Sequence, residues 1–126
     1  MPGTQSNKDR AVDFLQMIIA GKIREAYEQY TATDFRHHNP YFKGDAESLL
    51  AGMVEDEKQF PAKVCEVQRA LQDGDLVAVH SRLRHSPAEG FMAVVHIFRF
   101  EDGRIAEFWD IAQAAPNPIV NENGMF

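Results

Sequence analysis

The chain has 126 residues, 44% of them hydrophobic and 25% charged, an ordinary composition that predicts one folded domain over residues 1–126. A formal net charge of −6 without a basic stripe argues against nucleic acid as a partner, because nothing would neutralise phosphates. The apolar runs are too short to span a bilayer, and "MPGTQSNKDR" lacks the apolar core and small-residue cleavage site of a signal peptide, so neither a membrane nor secretion is expected and a cytoplasmic location is.

Val12, Leu15, Ile18 and Ile19 recur at helical spacing from Ala11, with Ser6 and Asp9 as a capping pair and Gly21 as the stop. Ile23, Ala26, Tyr27 and Tyr30 predict a short second helix ending before "TATDF". In "FRHHNPYFKG", Pro40 disfavours helical backbone at Asn39, so this stretch reads as an extended segment or turn between two helices, with His37 solvated. Asp45 caps a third helix carrying Leu49, Leu50, Met53 and Val54, which "FP" at 60 and 61 closes.

After Pro61 the period becomes two. "AKVCEVQRALQ", "LVAVHSRLRH", "FMAVVHIFRF" and "RIAEFWDIAQ" read as four meandering antiparallel strands, separated by "DGD", "SPAEG" and "EDG". The lone Cys65 is assigned to packing, His85 to an exposed strand end, and the tail "APNPIVNENGMF" to irregular structure. Helices in one block and strands in another predict an α+β fold, with helices on one face of a curved sheet and a small-molecule pocket in the concavity.

A bulged turn at "EDG" would set Phe100 opposite Arg104, Phe98 opposite Ala106, His96 opposite Phe108 and Val94 opposite Asp110. One face then carries Met92, Val94, His96, Phe98, Phe108 and Asp110, and the other Val95, Ile97, Arg99, Glu107, Trp109 and Ile111. Two apolar faces need two covers. A second chain over the face of Trp109, Ile97 and Val95 would make a homodimer, with Arg99 and Glu107 paired across the strands; the C-terminal tail folding back is the other cover considered. On the concave face, a carboxylate (Asp110) beside imidazoles (His96, and His80 from the preceding strand with Arg82) is equipment for moving protons, for instance from a carbon next to a carbonyl. The plainer reading is a pair that satisfies itself in the core. His38, His80, His96 and Asp110 converging on a metal is also conceivable, but no local ligand spacing supports it, and neither metal nor cofactor is expected.

"HHNP", "GDLVAVHS", "AVVHIFRFEDGRIAEFWDIAQ" and the terminal "NGMF" resemble, in order and over nearly the whole chain, the SnoaL-like branch of the NTF2-like superfamily, the polyketide cyclase-like group. His38, Asn39 and Pro40 match that family's "QHNP", and Trp109 and Asp110 the end of its "EHWD". His96 stands where its "VVDIFR" has aspartate, and Phe108 where "EHWD" has histidine. The resemblance implies a cone-shaped α+β barrel, a curved antiparallel sheet wrapped around N-terminal helices, commonly dimerised through the sheet. The polar cluster inside the apolar concavity predicts a lyase- or isomerase-like enzyme acting on a small hydrophobic carbonyl compound. Asp110, His96, His80 and His38 would be its proton carriers or oxyanion donors. Asn39, Tyr41, Met92, Val94, Phe98, Phe108 and Arg82 would line its substrate pocket. The alternative is a non-catalytic binding or dimerisation module for an apolar ligand, since the fold hosts both.

Overall fold

Residues 5–126 are described by a computed structural model, so residues 1–4 of the irregular start "MPGTQ" lie outside the described residues. Helix α1 (Asn7–Ile19) begins where the Ser6 hydroxyl accepts from the Asp9 N–H at 3.0 Å. It ends at Gly21, whose φ of 85° only glycine adopts without strain, and the Lys22 N–H reaches back to the Met17 carbonyl at 2.9 Å. Helix α2 (Ile23–Tyr30) buries Ile23, Ala26, Tyr27 and Tyr30, the face its spacing predicts. Helix α3 (Ala46–Gln59) is capped by Asp45, which accepts from the Ser48 N–H at 3.0 Å, and it stops at Phe60.

Strands β2 (Val64–Asp73), β3 (Leu76–Arg84), β4 (Met92–Glu101) and β5 (Arg104–Ala114) form the expected antiparallel meander. A fifth strand, β1 (Thr31–His37), corrects the four-strand expectation: it follows α2 directly and pairs in parallel with β5, giving the order β1-β5-β4-β3-β2 in a mixed sheet. Its sequence "TATDFRH" is exposed at three of its seven positions and buried at only two, Phe35 and His37, so no sustained alternation marks it; only the presence of β5 beside it makes it a strand.

The β4–β5 register also differs from the expectation. Asp102 and Gly103, both at positive φ, form the tight turn themselves, so Glu101 faces Arg104. A bulge follows: Phe100 faces Ile105 and Arg99 faces Glu107. Beyond it Phe98 faces Phe108, His96 faces Asp110, and Val94 faces Ala112. Turn and bulge together displace the pairing by two residues, an even number, so each side chain stays on its expected face.

The three helices cover the inner face. Phe14, Tyr27, Phe35, Phe98 and Phe108 make the aromatic centre of the core, with Phe14 edge-on to Phe98 at 6.0 Å and Phe98 against Phe108 at 5.2 Å. The architecture is the expected α+β fold, with helices on one face of the sheet, and none of the described helices is long and apolar enough to cross a membrane.

Candidate functional site

Between the helices and the inner face of the sheet lies a cavity of about 470 Å³, within the usual range for small-molecule pockets. Its apolar wall comes from α1 (Leu15, Ile18, Ile19), from α3 (Leu49, Met53) and from Phe108. His96, Asp110 and Asn39 form one polar end, and Lys63, Asp56 and His85 another.

His96 and Asp110 are partners across β4 and β5, so both side chains rise from the same face into the cavity. Asp110 is held by the Asn39 side-chain amide, which donates to Oδ2 at 2.9 Å. The His96 ring is stacked on Phe108 at 5.5 Å and 19°, and its Nδ1 is buried without a hydrogen-bond partner. Burial pushes its imidazole down to about 4, against the opposing pull of Asp110, so it is neutral at physiological pH. Burial, and secondarily the Asp110 charge, raises the Tyr27 phenol, which stays protonated and donates to the Met53 sulfur at 3.4 Å.

The loop from His38 to Gly44 brings Asn39 to this cavity. Alternation along β1 continues past its end, with the His38 N–H bonding to the Phe108 carbonyl at 3.0 Å, so His37 turns inward and His38 outward. His37 is 4% exposed, which corrects its assignment as a solvated side chain. His38 lies on the outer face instead of at the pocket mouth. It stacks on Trp109 at 5.0 Å, and its Nε2 meets Glu107 at 2.6 Å. His38, then Arg99 and Arg36, hold the Glu107 carboxyl below the usual carboxylate range. The Arg99–Glu107 pair expected across the strands is present, at 3.1 Å.

His80 and Arg82 are outside the cavity as well. In β3 it is Val77, Val79, Ser81 and Leu83 that face inward, and Val79 is the partner of His96. The apolar set at odd positions was visible in "LVAVHSRLRH", and placing His80 inside ran against it. His80 contacts Arg69 and lies against the Phe126 ring, while the Arg82 guanidinium sits 3.9 Å from the Phe91 ring centre. Among the pocket-lining expectations, Asn39 and Phe108 line the cavity. Phe98 and Val94 share the inner face but are consumed in packing, at 0% and 3% exposed. Met92 stands on that face opposite Leu83 without lining the cavity, and Tyr41 is 86% exposed, its place being taken by Phe42. His85, expected at the surface, lines the cavity beside Phe60, with Asp56 at 4.0 Å. Cys65 lines it too, its thiol raised by burial above the usual range. Leu83 and Cys65 could have been found from strand parity, whereas Lys63, Phe42 and Gly52 carry no sequence signal of their position.

With His38 and His80 on the opposite face, the four-residue metal set does not assemble, and the described residues contain no group of three or more histidine, cysteine or acidic side chains placed to hold a metal ion.

The profile of the SnoaL-like domain matches residues 10–108. The chain belongs to the SnoaL-like domain family. The resemblance read from "HHNP" and "EFWDIAQ" is thereby established at family level. No curated protein matches the sequence significantly. Among solved structures, IdmH from Streptomyces antibioticus, described as a candidate polyketide cyclase, is 22% identical with a TM-score of 0.74, covering 86% of this chain and 93% of that one. A cystatin-fold protein from Novosphingobium aromaticivorans is 21% identical with a TM-score of 0.71, covering 85% and 98%. An NTF2-like protein from Cytophaga hutchinsonii is 14% identical with a TM-score of 0.72, covering 96% and 100%. These likenesses show the fold alone. Within the SnoaL-like frame, His96 and Phe108, the two departures from the family's usual motifs, are diagonal neighbours in direct stacking contact.

Proposed function

We propose that this SnoaL-like protein is a lyase- or isomerase-like enzyme that performs acid–base chemistry on a small hydrophobic carbonyl compound. The observation that carries the reading is the pair His96 and Asp110, opposed across two strands and facing a largely apolar cavity. Asp110 is the base: its carboxylate removes a proton from the carbon next to the carbonyl, the C–H electron pair becomes the enolate C=C bond, and the carbonyl π pair moves to the oxygen. A carboxylate with one oxygen fixed by Asn39 keeps the other for this task. His96 is the donor to the developing enolate. A neutral imidazole gives a hydrogen bond without the desolvation cost of a buried cation. Returning the proton to a different carbon isomerises the substrate. Attack of the enolate carbon on a second carbonyl closes a ring, and the proton on Asp110 passes to the new alkoxide. His38 and His80 have no part in this scheme, because they stand on the outer face.

The test needs no knowledge of the natural substrate. 2-Tetralone, a bicyclic ketone with acidic hydrogens beside its carbonyl, is incubated in deuterium oxide and its exchange followed by NMR. The protein is expected to accelerate exchange, and Asp110→Asn to reduce that acceleration by about 100-fold or more, the usual scale of a general base. Tetralone that binds in the cavity without faster exchange, or an Asp110→Asn variant as active as the parent, would overturn the catalytic reading in favour of a binding module.

We further propose a homodimer through the outer face of the sheet. Val95, Ile97 and Trp109 are only partly covered there, and Ile111 is 58% exposed.

A further inference from the structure

His37 is the one histidine that serves neither the cavity nor the outer face, and both of its ring nitrogens are engaged by the loop that follows it. Nδ1 accepts from the Asn39 backbone N–H at 3.0 Å, and Nε2 meets the Lys43 carbonyl. An N–H can only donate and a carbonyl can only accept, so the ring is the neutral tautomer with its proton on Nε2. The His37 backbone N–H adds a bond to the Gly44 carbonyl at 3.1 Å, closing the loop on itself. Asn39, the residue seated on Nδ1, is also the residue whose side chain holds Asp110, and its Oδ1 accepts from the Tyr41 N–H at 3.0 Å.

We infer that His37 is a positioning residue for Asp110: through Nδ1 it fixes Asn39, and through Asn39 the carboxylate, but only while its imidazole is neutral. A proton on Nδ1 would set a donor against the Asn39 N–H, so one of the two must turn away, and the amide leaves Asp110. The groups around the ring frame this step. Asp45, capping α3, is the charged neighbour, and its carboxyl is held low chiefly by Ser48. Its strand partner on β5 is Phe108, and on β1 the Phe35 ring lies 6.5 Å from the His37 ring; neither titrates. The inference rests on Asp110 being the working carboxylate, but its test does not.

The full-length, nitrogen-15-labelled protein is titrated by NMR from about pH 8 to about pH 5, the range in which imidazoles take up a proton. The His37 ring is expected as the Nε2–H tautomer at the upper end, and the Asn39 side-chain amide is expected to move in one step together with that ring. In His37→Asn, an Oδ1 that accepts from the N–H two residues on cannot titrate, so the step is expected to vanish while the Asn39 amide keeps its high-pH position. Should that variant fail to fold, His37→Gln, which keeps a donor for Lys43, carries the same comparison. An Nδ1–H tautomer, or an Asn39 amide that titrates alike in the variant, would overturn the inference. Tetralone exchange separates it from the catalytic reading. If exchange is present, the variant retains at pH 5 several-fold more of its neutral-pH rate than the parent does; if exchange is absent, the NMR result stands by itself as positioning without chemistry.

Discussion

His96 pays for its position in stability at low pH. Stacked on Phe108 and buried, its imidazole is held at about 4 instead of the ordinary 6.5, with desolvation outweighing the attraction of Asp110. As pH falls below about 6.5 the unfolded chain takes up a proton that the folded protein refuses until about 4, so stability is lost across that window. At about 1.4 kcal/mol per unit the total loss is about 3 kcal/mol. His96→Gln, polar but not titratable, is expected to show a shallower fall of chemical-denaturation stability between pH 6.5 and 4 than the parent; equal slopes would mean that His96 is not buried as a neutral ring. At this scale the sequence was half legible. Asp110 and His96 could be placed together because an even displacement preserves faces, whereas His37 and His38 could not be sorted while β1 was unrecognised, since strand alternation is what sends one inward and the other outward.

Elements meet at the cavity mouth through Gly52 of α3 and Phe42 of the loop. A Cβ built on Gly52 would lie 2.4 Å from the Phe42 Cε1, so the glycine makes room for the ring to lie on the helix. Phe42 is 41% exposed, and its ring can swing toward solvent without disturbing the core. Gly52→Ala should therefore do two opposed things. It removes a helix-interior glycine, worth up to about 1 kcal/mol, and it evicts an aromatic ring from the cavity wall. The expected result is a melting temperature changed little in either direction, with altered affinity for 2-tetralone measured by its NMR line broadening; a loss of several kcal/mol would show that Phe42 cannot move. Helix ends and antiparallel strands were readable from caps, glycines and alternation because those signals are local. The β1–β5 pairing, the bulge beside Arg99 and the fit of Phe42 on Gly52 were not, because each is fixed by a partner distant in sequence.

The whole molecule has one sheet face buried by helices and one left to other covers. Of the two covers weighed from sequence, the tail is the one the structure shows on it. The tail reaches the β3 side, where Phe126 lies against His80 and 5.3 Å from the Arg82 guanidinium carbon. The side formed by β4, β5 and β1 keeps Ile97, Trp109 and the exposed Ile111, with Glu107 among Arg36, His38 and Arg99. If the tail keeps the β3 side, a second copy must dock on the β5 side, and Ile111 stands there with little role in the core of its own chain. Ile111→Asp is accordingly expected to leave the melting temperature nearly unchanged at low concentration while converting a dimer to a monomer, as read by sedimentation velocity. A charged residue at such an interface meets apolar surface and its own symmetry copy, and both disfavour association. A parent protein that sediments as a monomer, or an Ile111→Asp variant that remains dimeric, would remove the β5 side as the interface and leave the tail as the only cover this face has.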